Sequence, residues 1–212
     1  MKKTTETNTA DLLLEIGAVK LRPETPFTWT SGWKSPVYCD NRLTLSFPKV
    51  RNYIAKELAD LIRREFPQAE ALAGVATAGI PQAAIVAEML ELPMLYVRSS
   101  AKGHGLENQI EGKTVPGQKV VVIEDLVSTG KSSLAAAESL KNAGFEVLGM
   151  TAIFTYGFPH ADEAFRKSDV KLFTLTNYNA LVNLAVEKGI VDGSLLISLN
   201  EWREAPDKWL QN

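Results

Sequence analysis

Two adjacent acidic residues stand between a buried strand and a turn of small polar residues. Residues 120–123 are four β-branched apolar residues, a run that is typical of a strand covered on both faces. Glu124 and Asp125 follow, then a small-residue turn at 128–130 and an alanine-rich helical segment at 134–140. N–H groups at such a helix start bind anions, and neighbouring carboxylates accept hydrogen bonds from sugar hydroxyls. The sequence therefore predicts a phosphosugar site at this junction.

A nucleotide-binding P-loop is the rival interpretation of the same stretch. Gly130, Lys131 and Ser132 match the end of the pattern G-x-x-x-x-G-K-[ST]. The first glycine of that pattern would fall at position 125, which is Asp125. Because a carboxylate at this point would repel a triphosphate, a P-loop nucleotide hydrolase is disfavoured.

The elements that must position this site alternate between strands and helices. Residues 71–76 and 92–97 are predicted to be strands, and the helix between them implies parallel strands joined by a right-handed crossover. Ligands of such open sheets bind at the carboxyl ends of the strands. A second small-residue turn, which contains Ala76 and Thr77, lies at such an end. We expect both turns at the same edge of the sheet.

A segment rich in Thr, Ser, Pro and aromatic residues, 21–42, is predicted to form a small cap over the main sheet. Its short stretches 28–30 and 37–39 suit β-strands. We expect Trp29, Trp33 and Tyr38 to pack within the cap more often than they contact a ligand.

Composition and charge limit the classes of function. The chain has 212 residues, of which 45% are hydrophobic and 23% charged, values that are ordinary for one globular domain. The formal net charge is -2, and no cluster of Lys and Arg falls on a predicted helix face. Nucleic acid is therefore not expected as a partner.

Metal-binding and export signals are also sparse. Cys39 is the one cysteine, and His104 and His160 are the two histidines, so an intrachain disulfide is impossible and a transition-metal centre is not expected. The polar first ten residues lack the apolar core of a signal peptide, and no run of 18 apolar residues occurs. We expect a cytoplasmic protein without a membrane partner.

Three segments resemble one enzyme family. The stretch from Glu124 to Ser132 resembles the phosphoribosyl pyrophosphate (PRPP) binding motif of type I phosphoribosyltransferases. Residues 27–42 and 98–105 resemble the substrate-side loop and the mobile catalytic loop of orotate phosphoribosyltransferases, and the similarity covers nearly the whole chain in order. The resemblance implies an α/β fold with an open, mostly parallel sheet flanked by helices. It also implies a single domain over 1–212, in which residues 20–45 and C-terminal residues form a cap, or hood, over the base site.

The resemblance further implies a reaction and its site residues. The phosphoribosyl group of PRPP would pass to N1 of orotate, giving orotidine 5'-monophosphate and pyrophosphate in pyrimidine biosynthesis. Mg²⁺ would be held mainly by PRPP and water rather than by dedicated protein ligands. A homodimer is implied, with loop residues shared across the interface. Lys102, His104 and Asp125 would be catalytic, and Ser128 would touch orotate. The implied PRPP contacts are Ala76, Thr77, Arg98, Lys102, His104, Glu124, Asp125, Leu126, Val127, Ser128, Thr129, Gly130, Lys131 and Ser132.

Residues 98–118 are predicted to form a lid. The segment lacks periodicity, carries several glycines, and includes three residues that can be cationic, Arg98, Lys102 and His104. Long loops without secondary structure are often lids. A loop with these cations could close over the departing pyrophosphate and stabilise its charge.

The chain also departs from the family pattern, so the means of holding orotate's carboxylate is left open. Thr30 stands where the best-studied members have a lysine, and Tyr156 stands near the place of an arginine. Lys34 or Arg42 could substitute because both lie in the predicted cap. The alternatives are a phosphoribosyltransferase for another base, or a PRPP-sensing regulator that binds nucleic acid. The second would need a basic face or a helix-turn-helix, and the sequence shows neither.

Overall fold

The computed structural model describes residues 4–29, 31–99 and 109–210, and strands alternate with helices through most of this length. The helices are α1 (Thr5–Glu15), α2 (Pro48–Glu65), α3 (Gly79–Leu90), α4 (Lys131–Asn142), α5 (Pro159–Lys167), α6 (Tyr178–Glu187) and α7 (Leu196–Glu204). The strands are β1 (Val19–Leu21), β2 (Phe27–Thr28), β3 (Lys34–Ser35), β4 (Val37–Cys39), β5 (Ala71–Val75), β6 (Met94–Val97), β7 (Ile110–Glu111), β8 (Lys119–Val127), β9 (Glu146–Thr155) and β10 (Leu172–Asn177).

The main sheet has the strand order β10-β9-β8-β5-β6-β7 within the described residues. Its neighbours are parallel except for β6 and β7, which are antiparallel. The predicted open, mostly parallel sheet is therefore confirmed. The topology also places the carboxyl end of β5 beside Ile123 of β8, directly before the acid pair, because Gly74 and Ile123 are the last partners of these two strands.

Both faces of the sheet are covered, as the run at 120–123 predicted. Val121 and Ile123 belong to a core cluster with residues of α2, α3, α6 and α7. Val120 and Val122 point to the opposite cluster, which includes residues of α4 and α5. All four side chains are fully buried. This alternation follows from the two-residue period of a strand.

The strand that carries the acids is longer than predicted. We expected it to end before Glu124, but β8 continues to Val127. The reason is its neighbour β9, which stays paired with β8 beyond the acids, whereas pairing with β5 stops at Ile123. The acids therefore lie on a strand that has a hydrogen-bonded neighbour on one side and an open edge on the other.

Two short antiparallel pairs precede the main sheet. β1 pairs with β4, and β2 pairs with β3; we call residues 19–39 the ribbon segment. The C-terminal helix α7 reaches it, because the indole Nε1 of Trp202 donates a hydrogen bond to the carbonyl oxygen of Lys34 at 3.1 Å. None of the helices in the described ranges is both long and apolar enough to cross a membrane.

Candidate active site

The acid pair lies at the carboxyl end of β8 and contacts the start of α4. Glu124 is only 6% exposed. One of its carboxylate oxygens accepts a hydrogen bond from the backbone N–H of Asp125, and the other accepts one from the hydroxyl of Ser133, each at 3.1 Å. Because Ser133 belongs to the first turn of α4, this bond fixes the end of the strand against the beginning of the helix.

Burial changes the acidity of both carboxyl groups. It raises the pKa of Glu124 to about 8, and the neighbouring charge of Asp125 adds to this rise. Burial also raises the pKa of Asp125. Two buried acids so close together disfavour the doubly charged state. The pair can therefore hold a proton near neutral pH while it still offers oxygen atoms to hydroxyl groups.

The turn between β8 and α4 presents a helix N-terminus whose N-cap residue, Gly130, has no side chain to cap it. Gly130 adopts a φ of 78° there, in the left-handed region that favours glycine. A Cβ at this position would also lie 2.7 Å from the ring of Phe165. The N–H of Lys131 makes a long hydrogen bond, 3.5 Å, to the hydroxyl of Thr129. Such a weak contact leaves the N–H groups of the first turn able to bind an anion.

The second predicted turn lies beside the first. The peptide bond between Ala76 and Thr77 is cis, and α3 begins two residues later, at Gly79. A Cβ added at Gly79 would lie 2.5 Å from the carbonyl oxygen of Ile123 and 3.4 Å from the Cα of Glu124. Glycine at this position thus allows the backbone after β5 to approach the acid pair, and the structure brings the two turns together.

A cavity of about 870 Å³ opens between the ribbon segment and the turn that follows the acids. Its volume is in the range of small-molecule sites. Its lining residues are Phe27, Thr28, Trp29, Ser31, Trp33, Tyr38, Cys39, Leu126, Ser128, Thr129, Lys131 and Tyr156.

Four aromatic residues support one wall of this cavity; we call Trp29, Tyr156, Phe158 and Trp202 the aromatic cluster. Tyr156 stacks on Phe158 with ring centroids 5.3 Å apart. Trp202 meets Trp29 and Tyr156 edge to face, at 5.7 and 5.6 Å. Trp29 and Tyr156 line the cavity, whereas Trp202 is fully buried behind them. Burial raises the pKa of Tyr156 well above its ordinary value, so its phenol stays neutral.

The comparisons with known proteins agree with this geometry. A family model described as a phosphoribosyl transferase domain matches residues 44–187. The orotate phosphoribosyltransferase of Cytophaga hutchinsonii is 57% identical over 93% of this chain and 94% of the relative. The chain belongs to the orotate phosphoribosyltransferase family. The enzyme of the same name from Listeria monocytogenes is 56% identical over 96% of this chain and 98% of the relative.

A solved structure shows the same fold. The crystal structure of orotate phosphoribosyltransferase from Aeropyrum pernix matches with a TM-score of 0.75 and 30% identity. The match covers 86% of this chain and 98% of that chain. These matches confirm the type I phosphoribosyltransferase fold and the enzyme class that the sequence motifs implied.

Within this family member, the site residues predicted from the sequence fall into three places. Glu124 and Asp125 lie at the end of β8, and Ser128, Thr129 and Lys131 line the cavity. Ala76, Arg98 and Ser132 line a separate small cavity of about 80 Å³. Leu126 and Val127 continue β8, and Gly130 caps α4. Lys102 and His104 lie outside the described residues, as does Thr30.

Two predicted cations already have protein partners. A guanidinium nitrogen of Arg98 lies 3.4 Å from a carboxylate oxygen of Glu111. Lys34 Nζ donates to the hydroxyl of Thr28 at 3.0 Å, and Lys34 is not among the residues that line the larger cavity. Its contact with orotate stays a prediction.

Asn41 is a site residue that sequence reasoning missed. It is 2% exposed, and its amide nitrogen donates to the backbone carbonyl oxygen of Asp125 at 2.7 Å. The two residues are 84 positions apart. No local pattern signals this contact, because it depends on how the chain returns to the sheet.

The described residues contain no group of three or more His, Cys, Asp and Glu side chains that could hold a metal ion. Glu124 and Asp125 are the carboxylates that precede the turn after β8 in the chain. Carboxylates suit a hard cation such as Mg²⁺, which usually keeps several waters and substrate oxygens among its ligands.

Proposed function

We propose that this protein transfers the phosphoribosyl group of PRPP to N1 of orotate and releases pyrophosphate. The observation that carries the proposal is the acid pair of β8, fixed by Ser133 against an uncapped helix start. This arrangement offers carboxylate oxygens to ribose hydroxyls and backbone N–H groups to a phosphate a few ångströms farther on. The names of the similar proteins support orotate as the base.

Each part of PRPP has a proposed partner. Glu124 and Asp125 bind the ribose hydroxyls, and the backbone and hydroxyl groups of residues 128–132 bind the 5'-phosphate. The turn with Ala76 and Thr77 approaches the pyrophosphate, together with Arg98 and the predicted loop residues Lys102 and His104. This assignment implies that Arg98 leaves its ion pair with Glu111 and binds the pyrophosphate when substrate binds.

The proposed chemistry is a displacement at C1 of the ribose. The bond between C1 and the pyrophosphate oxygen breaks, and its electron pair leaves with pyrophosphate. The bond between N1 of orotate and C1 forms, and the N1 proton of orotate passes to the departing pyrophosphate, directly or through water. Positive charge develops on the sugar between these events, and the proposed role of the Asp125 carboxylate is to stabilise that charge. The protein contributes positioning and charge complementarity, and no covalent intermediate is needed.

Mg²⁺ is the proposed cofactor. Phosphoribosyl pyrophosphate and water would supply most of its oxygen ligands, so no dedicated set of protein carboxylates is proposed. When bound, the ion neutralises charge on the pyrophosphate. Binding of the ribose hydroxyls and alignment of C1 remain the task of the acid pair.

The cavity between the ribbon segment and the turn after β8 is the proposed orotate site. It adjoins Ser128, which resembles an orotate-contacting residue of the family, and its wall of Trp29 and Tyr156 can stack on a planar base. We propose that the ribbon segment and α7 act as the cap over this site. We also propose a homodimer in the cytoplasm, in which the lid of one subunit completes the site of the other.

One assay tests the proposed function. The purified protein is incubated with PRPP, Mg²⁺ and one base at a time (orotate, uracil or adenine), while pyrophosphate release and loss of base absorbance are followed. We expect turnover with orotate. Turnover with only uracil or adenine would identify a transferase for another base. Binding of PRPP without turnover of any base would favour the regulator.

A further inference from the structure

The proposed orotate site must accommodate a negative charge, because orotate carries a carboxylate on the ring carbon next to N1. Most of the residues that line the cavity are aromatic, apolar or hydroxyl-bearing. A carboxylate that leaves water for such surroundings needs a cation or several hydrogen bonds to compensate its lost hydration. Uracil has the same ring without the carboxylate and would make no such demand.

Lys131 is the one cationic side chain among the described residues that line the cavity. It is exposed, and it makes no ion pair within residues 4–29, 31–99 and 109–210. Its four-carbon stem lets the ammonium group reach several ångströms from the backbone. The side chain is therefore available for a substrate anion.

The two cations that the sequence suggested for this role already have protein partners, and the partner of Lys34, Thr28, is itself a cavity-lining residue. Lys34 Nζ donates to Thr28 at 3.0 Å. Arg42 forms a bidentate pair with Asp40, with nitrogen–oxygen distances of 2.7 and 2.9 Å. Neither residue lines the cavity. Each would have to break an existing contact before it could reach the base.

The position of Lys131 allows its backbone N–H to contact the 5'-phosphate while its side chain contacts the base. As the first residue of α4, it places its N–H among the first-turn groups that are proposed to bind the 5'-phosphate. The residue also belongs to the lining of the adjoining cavity, which its long side chain can enter. Lys131 therefore lies between the proposed 5'-phosphate site and the proposed base site. From there it can contact both the sugar phosphate and the base of the product.

We propose that the ammonium group of Lys131 binds the carboxylate of orotate and makes the site prefer orotate to uracil. This inference rests on the proposed function and identifies the side chain that would make the enzyme specific for orotate. Loss of a charge-assisted hydrogen bond in a partly desolvated site lowers affinity by roughly 10- to 100-fold. The loss should appear in orotate binding and not in PRPP binding.

The test compares Lys131→Met with the wild-type enzyme. We expect the KM for orotate to rise about 10- to 100-fold, while the KM for PRPP changes less than about twofold. Any residual transfer to uracil should fall much less than transfer to orotate, because uracil lacks the carboxylate. Lys131→Arg should restore part of the orotate affinity, since it keeps the charge. Thermal unfolding should match the wild type because the side chain is exposed.

Lys141→Met is the matched control. Lys141 lies at the opposite end of α4, where its ammonium group donates to the carbonyl oxygen of Ser168 at 2.9 Å, so its loss should leave both KM values unchanged. Lys34→Met tests the rival cation and should affect orotate binding less than Lys131→Met.

Three results would overturn the inference. A rise in the KM for PRPP with an unchanged KM for orotate would assign Lys131 to the 5'-phosphate. A larger orotate defect in Lys34→Met than in Lys131→Met would assign the carboxylate to Lys34. A wild-type enzyme that does not use orotate would refute the proposed function itself, and this outcome is visible before any variant is made.

Discussion

The two sides of the site are built in different ways. The phosphate side comes from one contiguous stretch, β8 and α4, in which Glu124 bonds to Ser133 across only nine positions. The base side is assembled from the ribbon segment, the turn after β8, the segment 156–158 and Trp202 of α7. One hydrogen bond of this second region joins residues 168 positions apart.

This difference suggests a division of labour. The proposed phosphate side uses mostly backbone N–H groups and two carboxylates, which would recognise features that every phosphoribosyl transfer shares. The base side combines the turn after β8 with side chains from distant segments, and those distant side chains can change without disturbing the strand and helix that are proposed to bind the sugar. Substitutions on the phosphate side should therefore affect turnover, whereas those on the base side should affect binding of the base.

The largest expected effect is that of Asp125→Asn on the phosphate side. The substitution keeps the shape of the side chain and removes the charge that faces the developing cation, so kcat should fall about 10²- to 10³-fold. The KM for orotate should change little if the two sides are separable. Steady-state kinetics with both substrates measure the two effects.

Asp207→Asn, at an exposed position near the C-terminus, is the matched control and should be fully active. A loss of less than about tenfold in Asp125→Asn would contradict the role of its charge. A large rise in the KM for orotate would instead show that the two sides are coupled.

The second-largest expected effect is a change of folding stability with pH. We expect the buried Glu124, on the phosphate side, to cause most of it. Its folded-state pKa of about 8 lies above the ordinary value of 4.5, so the folded protein binds an extra proton between these values. The stabilisation is complete below pH 4.5 and is lost as the pH rises through about 8. The free energy of unfolding should fall by at most about 1.4 kcal/mol per pH unit in this window.

Urea unfolding between pH 5 and 8 tests this prediction. Glu124→Gln should flatten the pH profile, because glutamine cannot titrate. The raised pKa of Asp125 acts in the same direction, so a smaller slope should remain. A wild-type stability that rises with pH in this window would show that the acid pair is not the controlling group.

The smallest effect is expected from Trp202→Phe on the base side. Phenylalanine lacks the indole N–H that bonds to the carbonyl oxygen of Lys34, and leaving that oxygen unpaired should lower the free energy of unfolding by about 1–3 kcal/mol. Because Trp202 also supports Trp29 and Tyr156, the KM for orotate should rise severalfold while kcat changes little. Denaturant unfolding and steady-state kinetics measure the two quantities.

Trp209→Phe is the corresponding control. Trp209 donates to the hydroxyl of Ser198 at 3.0 Å and is not among the residues that line the cavity. It should lose stability without a change in the KM for orotate. If Trp202→Phe behaves in the same way, Trp202 stabilises the fold without positioning the base site.

The sequence alone determined the phosphate side of this protein. The β-branched run, the acids, the small-residue turn and the helix follow one another, and each is specified by local preference and periodicity. Even there, the end of the strand was misplaced, because β8 stays extended beyond Glu124 through its pairing with β9. That pairing involves residues more than twenty positions away, which local propensity does not describe.

Only the tertiary structure decided the base side. The sequence showed Trp29, Tyr156 and Trp202, but nothing in their spacing places the three rings within 6 Å of one another. It also offered Lys34 and Arg42 as partners for orotate, and their contacts with Thr28 and Asp40 became visible only in the fold. Hydrogen-bonding patterns of helices and strands repeat along the chain and can be predicted locally. Packing between distant segments depends on the path of the whole chain, so the fold alone determines which side chains line the cavity.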